Sequence, residues 1–297
     1  MAGLTRMACP ADDDYGQWLE LLGIRATAAL LDSLGDFLAD YLASSGLRLY
    51  VLGLSGGIDS SFLAALLYHR KIPYFGFCLP IASNTPEEIE RGTRVARAYA
   101  VPMDASLGHV HDLTSVYDTI SASFRQIAGC STPVAEGNIK ARTRMLFLYH
   151  LAQLHGGCVL STDQLDELLT GFWTLHGDVG DVSPLQLIPK SVEYELAAML
   201  CRRLDDPAPL QAAIEALPTD GLGISSSDLE QLEVDSYLQV EELFRRYFRL
   251  RQKEARSPLS RTEYSERLKL ETTGPVRRFL HSGFKRSGAV LVDPRSV

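Results

Sequence analysis

The sequence predicts a Rossmann-like α/β fold, with a doubly wound parallel sheet followed by a helical C-terminal part. Through about residue 172, short apolar runs of β type alternate with longer segments of helical spacing. That order is typical of a parallel sheet with helices on both faces. A Gly/Ser-rich loop at 52–61 joins one apolar run to a helix, and from about residue 190 the pattern is largely helical. Since ligands bind beyond the carboxyl ends of parallel strands, we expect the chemistry there.

Each element follows from its own local pattern. After a loose tail at residues 1–14, apolar residues at helical spacing predict one amphipathic helix from Trp18 to Leu42. Apolar runs predict strands at 49–51, 73–78, 101–107 and 158–160. Helical patterns predict helices at 85–100, 111–128, 138–154, 164–172 and 229–250, with Ser131–Pro133 as a breaker. We expect residues 1–297 to form one domain, whose part 190–297 closes the site.

Composition and charge narrow the function classes. The chain is 46% hydrophobic and 22% charged, and its net charge of −8 argues against a nucleic-acid-binding surface. Five scattered cysteines without a C-x-x-C motif indicate reduced thiols rather than a disulfide framework or a zinc site. The sequence shows no signal peptide and no apolar run of membrane-spanning length. We therefore expect a cytoplasmic protein without a nucleic-acid or membrane partner.

The Gly/Ser-rich loop has the composition of a phosphate site. It reads Gly53-Leu54-Ser55-Gly56-Gly57-Ile58-Asp59-Ser60. Backbone N–H groups, hydroxyls and a helix N-terminus converge there, and the glycines allow an anion to come close. Asp59 would repel a phosphate unless a cation lay between them, which predicts Mg²⁺. The loop lacks the lysine of a Walker motif, and the alternative is a plain strand-to-helix turn.

A second stretch places cations in the first turns of a predicted helix. Lys140 and Arg144 share one helical face, whereas Arg142 points elsewhere. Cations at this end oppose the helix dipole, so their presence suggests an anionic ligand. The alternative is a solvated basic helix.

A third stretch follows the strand predicted at 158–160. Thr162 lies where that strand ends and can reach a nucleotide. Glu167 shares a helical face with Asp163 and can complete an oxygen-ligand Mg²⁺ site together with Asp59. The alternative makes Asp163 a helix N-cap and leaves Glu167 exposed.

The fourth stretch, residues 171–185, is a long polar loop with glycines and aromatic residues. Such loops are typical of substrate lids. Within it, His176 is a candidate base, and the alternative is a residue that only forms hydrogen bonds.

In this order, the four stretches resemble the NAD synthetases, members of the N-type ATP pyrophosphatase superfamily that amidate nicotinic acid adenine dinucleotide (deamido-NAD). The most diagnostic is Asn138-Ile139-Lys140-Ala141-Arg142-Thr143-Arg144-Met145, because the wider superfamily shares the phosphate loop. The similarity covers about residues 20–290. The chain has no room for the glutaminase part of the long family members, so it resembles the ammonia-dependent type.

The resemblance implies a role for each matching position. ATP phosphates would be bound by Gly53, Leu54, Ser55, Gly56, Gly57, Ile58, Asp59 and Ser60. Thr162, Lys190 and Thr219 would contact ATP, with Asp59 and Lys190 as the catalytic pair. Asp59 and Glu167 would bind Mg²⁺. The acid substrate would be contacted by Arg142, Asp181 and Lys285.

Several positions depart from the usual family pattern. Leu175, His176 and Phe284 stand where Lys, Tyr and His are usual, and the loop before Asp181 is one residue shorter. Ser161 replaces the first glycine of a Gly-Thr-Asp element. Apart from Ser161, these changes lie on the side of the acid substrate.

The resemblance implies a two-step, ATP-dependent amide synthesis. A carboxylate attacks the α-phosphorus of ATP and releases pyrophosphate, after which ammonia displaces AMP from the acyl-adenylate, with the protein supplying position and charge. It also implies a homodimer, and ammonia that is free or comes from a separate glutaminase. Two alternatives remain open: a paralogous ATP-dependent amide synthetase acting on a different carboxylate, and a non-catalytic nucleotide-binding protein.

Overall fold

A parallel sheet lies at the centre of the fold. The computed structural model describes residues 4–81, 84–100, 108–218 and 227–286. Among these, β1 (Tyr50–Gly53) pairs in parallel with β2 (Tyr74–Phe77) on one side and with β3 (Cys158–Val159) on the other. Single parallel bridges follow at Cys78 with Val110 and at Leu160 with Val182. The predicted parallel α/β sheet is confirmed, while the strand predicted at 101–107 lies outside the described residues.

The N-terminal region forms two helices, α1 (Tyr15–Leu22) and α2 (Ala28–Ser45). The prediction of one helix from Trp18 to Leu42 is therefore wrong. Gly23 ends α1, and the Thr27 side chain starts α2 by accepting a hydrogen bond from Leu30 N–H at 3.0 Å. The interruption has a local cause that apolar spacing alone does not reveal, namely a Thr N-cap inside a helical pattern.

Residues 4–14, predicted to be a loose tail, form no helix or strand. They nevertheless contact the rest of the molecule at defined points. Asp12 forms an ion pair with Arg286 at 2.7 Å, and Trp18 donates its indole N–H to Ala11 O at 3.0 Å. The start of the described chain is thereby tied to its C-terminal helices.

Four helices flank the strands: α3 (Ile58–His69), α4 (Pro86–Tyr99), α5 (Thr114–Ala128) and α6 (Pro133–His155). The predicted start of α4 is confirmed, with Thr85 and Glu88 forming a capping box. The prediction that Asn138 begins the next helix is wrong, because Thr132 caps α6 and Pro133 occupies its first turn. A proline is compatible with that position, since its missing N–H would have no helical partner there.

The remaining described elements are all helical. They are α7 (Leu165–Thr170), α8 (Lys190–Cys201), α9 (Ala208–Glu215), α10 (Asp228–Leu232), α11 (Tyr237–Glu254), α12 (Arg261–Glu271), α13 (Gly274–His281) and α14 (Gly283–Arg286). The prediction of one helix over 229–250 is wrong. Glu233 adopts a φ of +60° and ends α10, and the Ser236 side chain caps α11.

Apolar cores cover both faces of the sheet, as a doubly wound fold requires. Tyr50 and Leu52 join one core, formed with α2, α3, α4 and α8. Val51 joins the other, formed with α5 and α6. This alternation follows from the two-residue period of a strand. A third core joins α1 and α7 to the C-terminal helices. No helix in the described part of the chain is long and apolar enough to cross a membrane.

Candidate active site

A cavity of about 430 Å³ opens at the carboxyl ends of the strands. It brings together most of the residues that the sequence singles out: Gly53, Leu54, Ser55, Gly57, Ile58, Asp59, Ser60, Thr162, Glu167, Lys190 and Lys285. Arg142, His176 and Asp181 do not line it, and Thr219 lies outside the described residues. The predicted location of the site, beyond the strand ends, therefore agrees with the geometry.

The Gly/Ser-rich loop is held in shape by contacts with α4. Gly56 has a φ of +83°, and a Cβ atom there would lie 2.6 Å from the backbone nitrogen of Gly92. Only glycine suits this combination of a left-handed backbone and a close neighbour. On the other side of the loop, Ser55 Oγ accepts a hydrogen bond from Gly57 N–H at 3.2 Å and lies 3.0 Å from Ser60 Oγ. The loop is thus preformed against the start of α3.

Lys190 extends from the first turn of α8 and donates a hydrogen bond to the Asp59 carboxylate. Its Nζ also lies 3.5 Å from Glu193 Oε2 and 5.6 Å from the centre of the Tyr237 ring. Burial by itself would lower the pKa of Lys190, but the charges of Asp59 and Glu193 hold that pKa well above its usual range. A charged ammonium group is therefore maintained beside the phosphate loop.

Two buried carboxylates hold the N-terminus of α8 in place. Pro189 provides no side-chain cap. Instead Asp166 Oδ2 accepts the Lys190 N–H at 2.8 Å, and Glu241 Oε1 accepts the Ser191 N–H at 3.0 Å. Burial, with a smaller contribution from Glu241, raises the pKa of Asp166 to about 7. Neither carboxylate is predicted from the sequence, because they come from α7 and α11 and no local pattern links them to α8.

Acidic side chains surround Lys190 at the cavity. The alternative in which Asp163 caps α7 and Glu167 is exposed is wrong, because Gln164 is the N-cap and Glu167 lines the cavity. Burial, and then the charge of Asp59, raise the pKa of Glu167 well above its usual range. Asp163 is 4% exposed, and no donor among the described residues reaches its Oδ2. Carboxylates gathered without enough hydrogen-bond donors form an oxygen donor set that suits a divalent cation.

Of the three residues predicted to contact the acid substrate, Lys285 lines the cavity, whereas Arg142 and Asp181 lie at the surface. Arg142 is exposed and donates two hydrogen bonds to Leu175 O, at 3.1 and 3.2 Å. Asp181 accepts hydrogen bonds from Val159 N–H at 2.9 Å and from Tyr149 O–H at 3.1 Å. Tyr149 lies on the same exposed stripe of α6 as Arg142. These side chains therefore flank the cavity on its α6 side rather than lining it.

Four cations other than Lys190 line the cavity: Arg91, Arg144, Arg278 and Lys285. Lys285 donates to Gly171 O at 2.7 Å and to Trp173 O. Arg144, the third cation of the basic stretch, is nearly buried and donates to Leu79 O at 3.0 Å, so it fixes the segment after β2. Arg278 lies 5.3 Å from the centre of the Phe172 ring. The sequence analysis missed Arg278, whose only signal is its place in an amphipathic helix.

Comparison with known proteins agrees with this geometry. The NAD synthase family model matches residues 30–288. The chain is 32% identical over 206 residues to an NH(3)-dependent NAD(+) synthetase of Methanococcoides burtonii, which covers 68% of this chain and 73% of that protein.

Two solved structures share the fold. A structure of NMN synthetase from Francisella tularensis has a TM-score of 0.68 at 22% identity, covering 89% of this chain and 97% of that one. An NH3-dependent NAD synthetase from Campylobacter jejuni has a TM-score of 0.62 at 24% identity, covering 89% and 98%. The model match over most of the chain, together with a relative above 30% identity, establishes that this protein belongs to the NAD synthase family.

Proposed function

We propose that this protein is a carbon–nitrogen ligase that converts deamido-NAD, ATP and ammonia to NAD, AMP and pyrophosphate. The observation that carries the proposal is the pairing of Lys190 with Asp59 at the mouth of the phosphate loop, with Glu167 on the same cavity wall. The names of the relatives, NH(3)-dependent NAD(+) synthetases, support the same reaction.

In this proposal the protein acts by binding and by balancing charge. The loop at 53–60 binds the phosphates of ATP, while Thr162, Lys190 and Thr219 make the other contacts with the nucleotide. Because Lys190 remains charged in a buried position, it offsets negative charge that develops as pyrophosphate leaves. No side chain needs to form a covalent bond with the substrate.

The donor set fits Mg²⁺. In the described part of the chain, no three His, Cys, Asp or Glu side chains form a complete metal site. Asp59 and Glu167 would therefore hold the ion together with phosphate oxygens, which is a common arrangement for Mg²⁺. When bound, Mg²⁺ neutralises charge on the phosphates of ATP.

The reaction balances in two steps. A carboxylate oxygen of the acid forms a bond to the α-phosphorus, and the bond from that phosphorus to the bridging oxygen of pyrophosphate breaks. The nitrogen of ammonia then bonds to the acyl carbon, the bond from that carbon to the AMP oxygen breaks, and ammonia loses one proton. Lys190 is only 2% exposed, so its ammonium group is shielded from bulk water.

We further propose a homodimer whose subunits meet at α5 and α6. Large apolar side chains are exposed on these helices, including Phe124, Ile127, Leu146 and Leu154 at 53%, 83%, 64% and 64%. Clustered exposed apolar groups of this kind mark interaction surfaces. Arg142 lies on the same stripe of α6 as Leu146, so a second subunit would complete the site for the acid substrate.

An assay with purified protein tests the reaction. We expect NAD, AMP and pyrophosphate to form from deamido-NAD, ATP, ammonium and Mg²⁺, and Asp59→Ala to abolish their formation. A second assay replaces ammonium with glutamine to test the source of ammonia. We expect no NAD to form from glutamine unless a separate glutaminase is added. We propose that the reaction takes place in the cytoplasm, which the five free cysteines support.

The same assay distinguishes the alternatives. Leu175, His176 and Phe284 motivate an arm with nicotinic acid mononucleotide and other carboxylic acids. AMP release with one of these, but not with deamido-NAD, would identify a paralogous amide synthetase. Binding of ATP without turnover of any acid would identify a non-catalytic nucleotide-binding protein.

A further inference from the structure

Glu193 is a buried carboxylate that the proposed reaction has not used. It lies one helical turn after Lys190 in α8, and its side chain is 0% exposed. Its Oε2 lies 3.5 Å from Lys190 Nζ. Within the described residues, neither of its oxygens accepts a hydrogen bond of ordinary geometry.

The packing of α8 does not by itself require a carboxylate at this position. The other buried side chains on this helix include Val192, Leu196 and Leu200, which are apolar and join the core next to the sheet. Burial of a carboxylate is unfavourable unless it is paired. Lys190 is the cation that pairs with Glu193, so the reason for Glu193 must be sought in what Lys190 does.

Among the described residues, the carboxylates of Asp59 and Glu193 lie within 4 Å of the Lys190 ammonium group, and one of them is needed elsewhere. Asp59 pairs with Lys190 in the free protein, while the proposed function requires Asp59 to face the nucleotide and its cation. Once Asp59 does so, Lys190 needs another acceptor to hold its ammonium group in place. Glu193 is within reach from the same helix, and its full burial prevents it from turning to solvent.

We propose that Glu193 is a positioning residue for Lys190. It is a second acceptor that keeps the ammonium group at the cavity wall when Asp59 turns to the ATP-bound cation. The inference rests on the ATP-binding half of the proposed function. It does not depend on which acid is amidated.

The test compares variants of one helix. Glu193→Leu removes the acceptor. Glu193→Gln keeps the size of the side chain and an oxygen that can accept a hydrogen bond, but it removes the charge. Glu195→Gln is the matched control, since Glu195 is exposed on the same helix. Binding of Mn²⁺ together with α,β-methylene-ATP, which cannot release pyrophosphate, is measured by calorimetry. Steady-state KM values for ATP and ammonium, and kcat, are measured alongside.

In Glu193→Leu, Asp59 is the one carboxylate of the described residues that remains within 4 Å of the Lys190 ammonium group, so the cation must compete with a lysine for that carboxylate. We expect the affinity for Mn²⁺ with the analogue to fall by about 10- to 100-fold, the usual effect of losing a residue that orients a binding group. The KM for ATP should rise in parallel, while the KM for ammonium stays within about twofold of the wild type. Glu193→Gln should fall between the wild type and Glu193→Leu, and Glu195→Gln should match the wild type.

Wild-type affinity in Glu193→Leu, or an equal loss in Glu195→Gln, would overturn the role of Glu193 and leave the proposed function intact. If Glu193→Leu does not fold, Glu193→Gln decides, and wild-type affinity in that variant overturns the inference. If wild-type protein does not bind the analogue, the inference and the ATP half of the proposed function are both overturned.

Discussion

Lys190 shows most clearly how single residues define the site. The phosphate loop supplies Asp59, and a helix that begins 131 residues later supplies the lysine that pairs with it. The Lys190 backbone is fixed by Asp166, and its ammonium group by Asp59 and Glu193. Because both ends of the side chain are held, the charge has a defined position before any ligand binds, which favours electrostatic catalysis.

Arg278 gives a prediction for one residue. It lines the cavity, whereas the adjacent Arg277 is exposed and pairs with Glu233 at 2.6 Å. We expect Arg278→Gln to raise the KM for ATP or for the acid substrate by about tenfold, as loss of one charge-assisted hydrogen bond would do. The KM for ammonium should not change.

Initial-rate kinetics with each substrate varied in turn measure this effect. Arg277→Gln is the matched control and should retain both KM values. Equal KM values in Arg278→Gln and the wild type would contradict a substrate contact for Arg278.

Among the elements, the turn into α3 depends on backbone geometry as much as on side chains. Gly56 combines a φ of +83° with a neighbouring backbone 2.6 Å from where a Cβ would lie. Gly46, at the end of α2, has a similar φ of +72° but nothing within 4 Å of that position. The two glycines therefore separate the cost of the backbone conformation from the cost of crowding.

We expect Gly46→Ala to lower the free energy of unfolding by about 1–2 kcal/mol, the cost of a left-handed backbone. Gly56→Ala should lower it by about 2–5 kcal/mol, because overpacking against Gly92 adds to the same cost. Urea unfolding measures both free energies. Calorimetry with an ATP analogue measures whether each variant still binds the nucleotide. Equal destabilisation of the two variants would show that α4 yields to the added methyl group.

The contact between α5 and α6 makes the stability of the folded protein depend on pH. Glu136 accepts hydrogen bonds from Arg125, Ser121 and Tyr117 at 2.7, 2.6 and 2.8 Å. The bond from Arg125 above all, with that from Ser121, holds the pKa of Glu136 well below its usual range. A carboxyl group whose pKa is lower in the folded state stabilises that state at pH values above its unfolded pKa, which is about 4.3. The stabilisation is lost as the pH falls further.

We therefore expect Glu136→Gln to lower the melting temperature at pH 7, and the difference from the wild type to shrink as the pH falls below about 4. Thermal unfolding at several pH values measures this. Glu90→Gln serves as the control, since the ion pair that Glu90 forms with Arg94 on α4 is exposed. A difference that stays constant down to pH 3 would contradict a stabilising role for the ionised Glu136 side chain.

At the scale of the whole molecule, the site lies between the sheet and the C-terminal helices. Two of the three residues implied for the acid substrate, Arg142 on α6 and Asp181 after β3, lie outside the cavity, and only Lys285 lines it. This separation is what a site completed by a second subunit requires. Leu146 is 64% exposed on the same stripe of α6 as Arg142. The proposed dimer would bury it.

We expect Leu146→Glu to convert a dimer to a monomer, because a charge would be buried at an apolar contact. The variant should still bind an ATP analogue but lose acid-dependent turnover. Light scattering after gel filtration, with calorimetry, measures both. Leu268→Glu is the control, because Leu268 is 43% exposed on α12, and this variant should remain dimeric. A wild-type protein that is monomeric and fully active would contradict the proposed dimer.

The features that the sequence predicts well are those set by neighbours along the chain. The strand-to-helix turn at 53–60, the capped start of α4 and the alternation of strands and helices depend on residues within a few positions of one another, and all three are confirmed. That the turn binds phosphate stays a prediction. Helix ends are less well predicted. Whether Thr27, Thr132 or Ser236 ends an apparent pattern or starts a helix depends on backbone angles that apolar spacing does not contain.

By itself, then, the sequence determined the fold class, the family and the strand-to-helix turn that suits phosphate. The tertiary structure decided which charges meet. It placed Lys190 against Asp59, capped α8 with Asp166 and Glu241, buried Glu193 beside the lysine, and left Arg142 and Asp181 outside the cavity. The physical reason is that most of these partners lie on different helices and strands. Glu193 lies on the same helix as Lys190, but its burial is due to the elements that pack against that helix. Burial and electrostatic pairing depend on distances in space, and those are set only when the elements pack together.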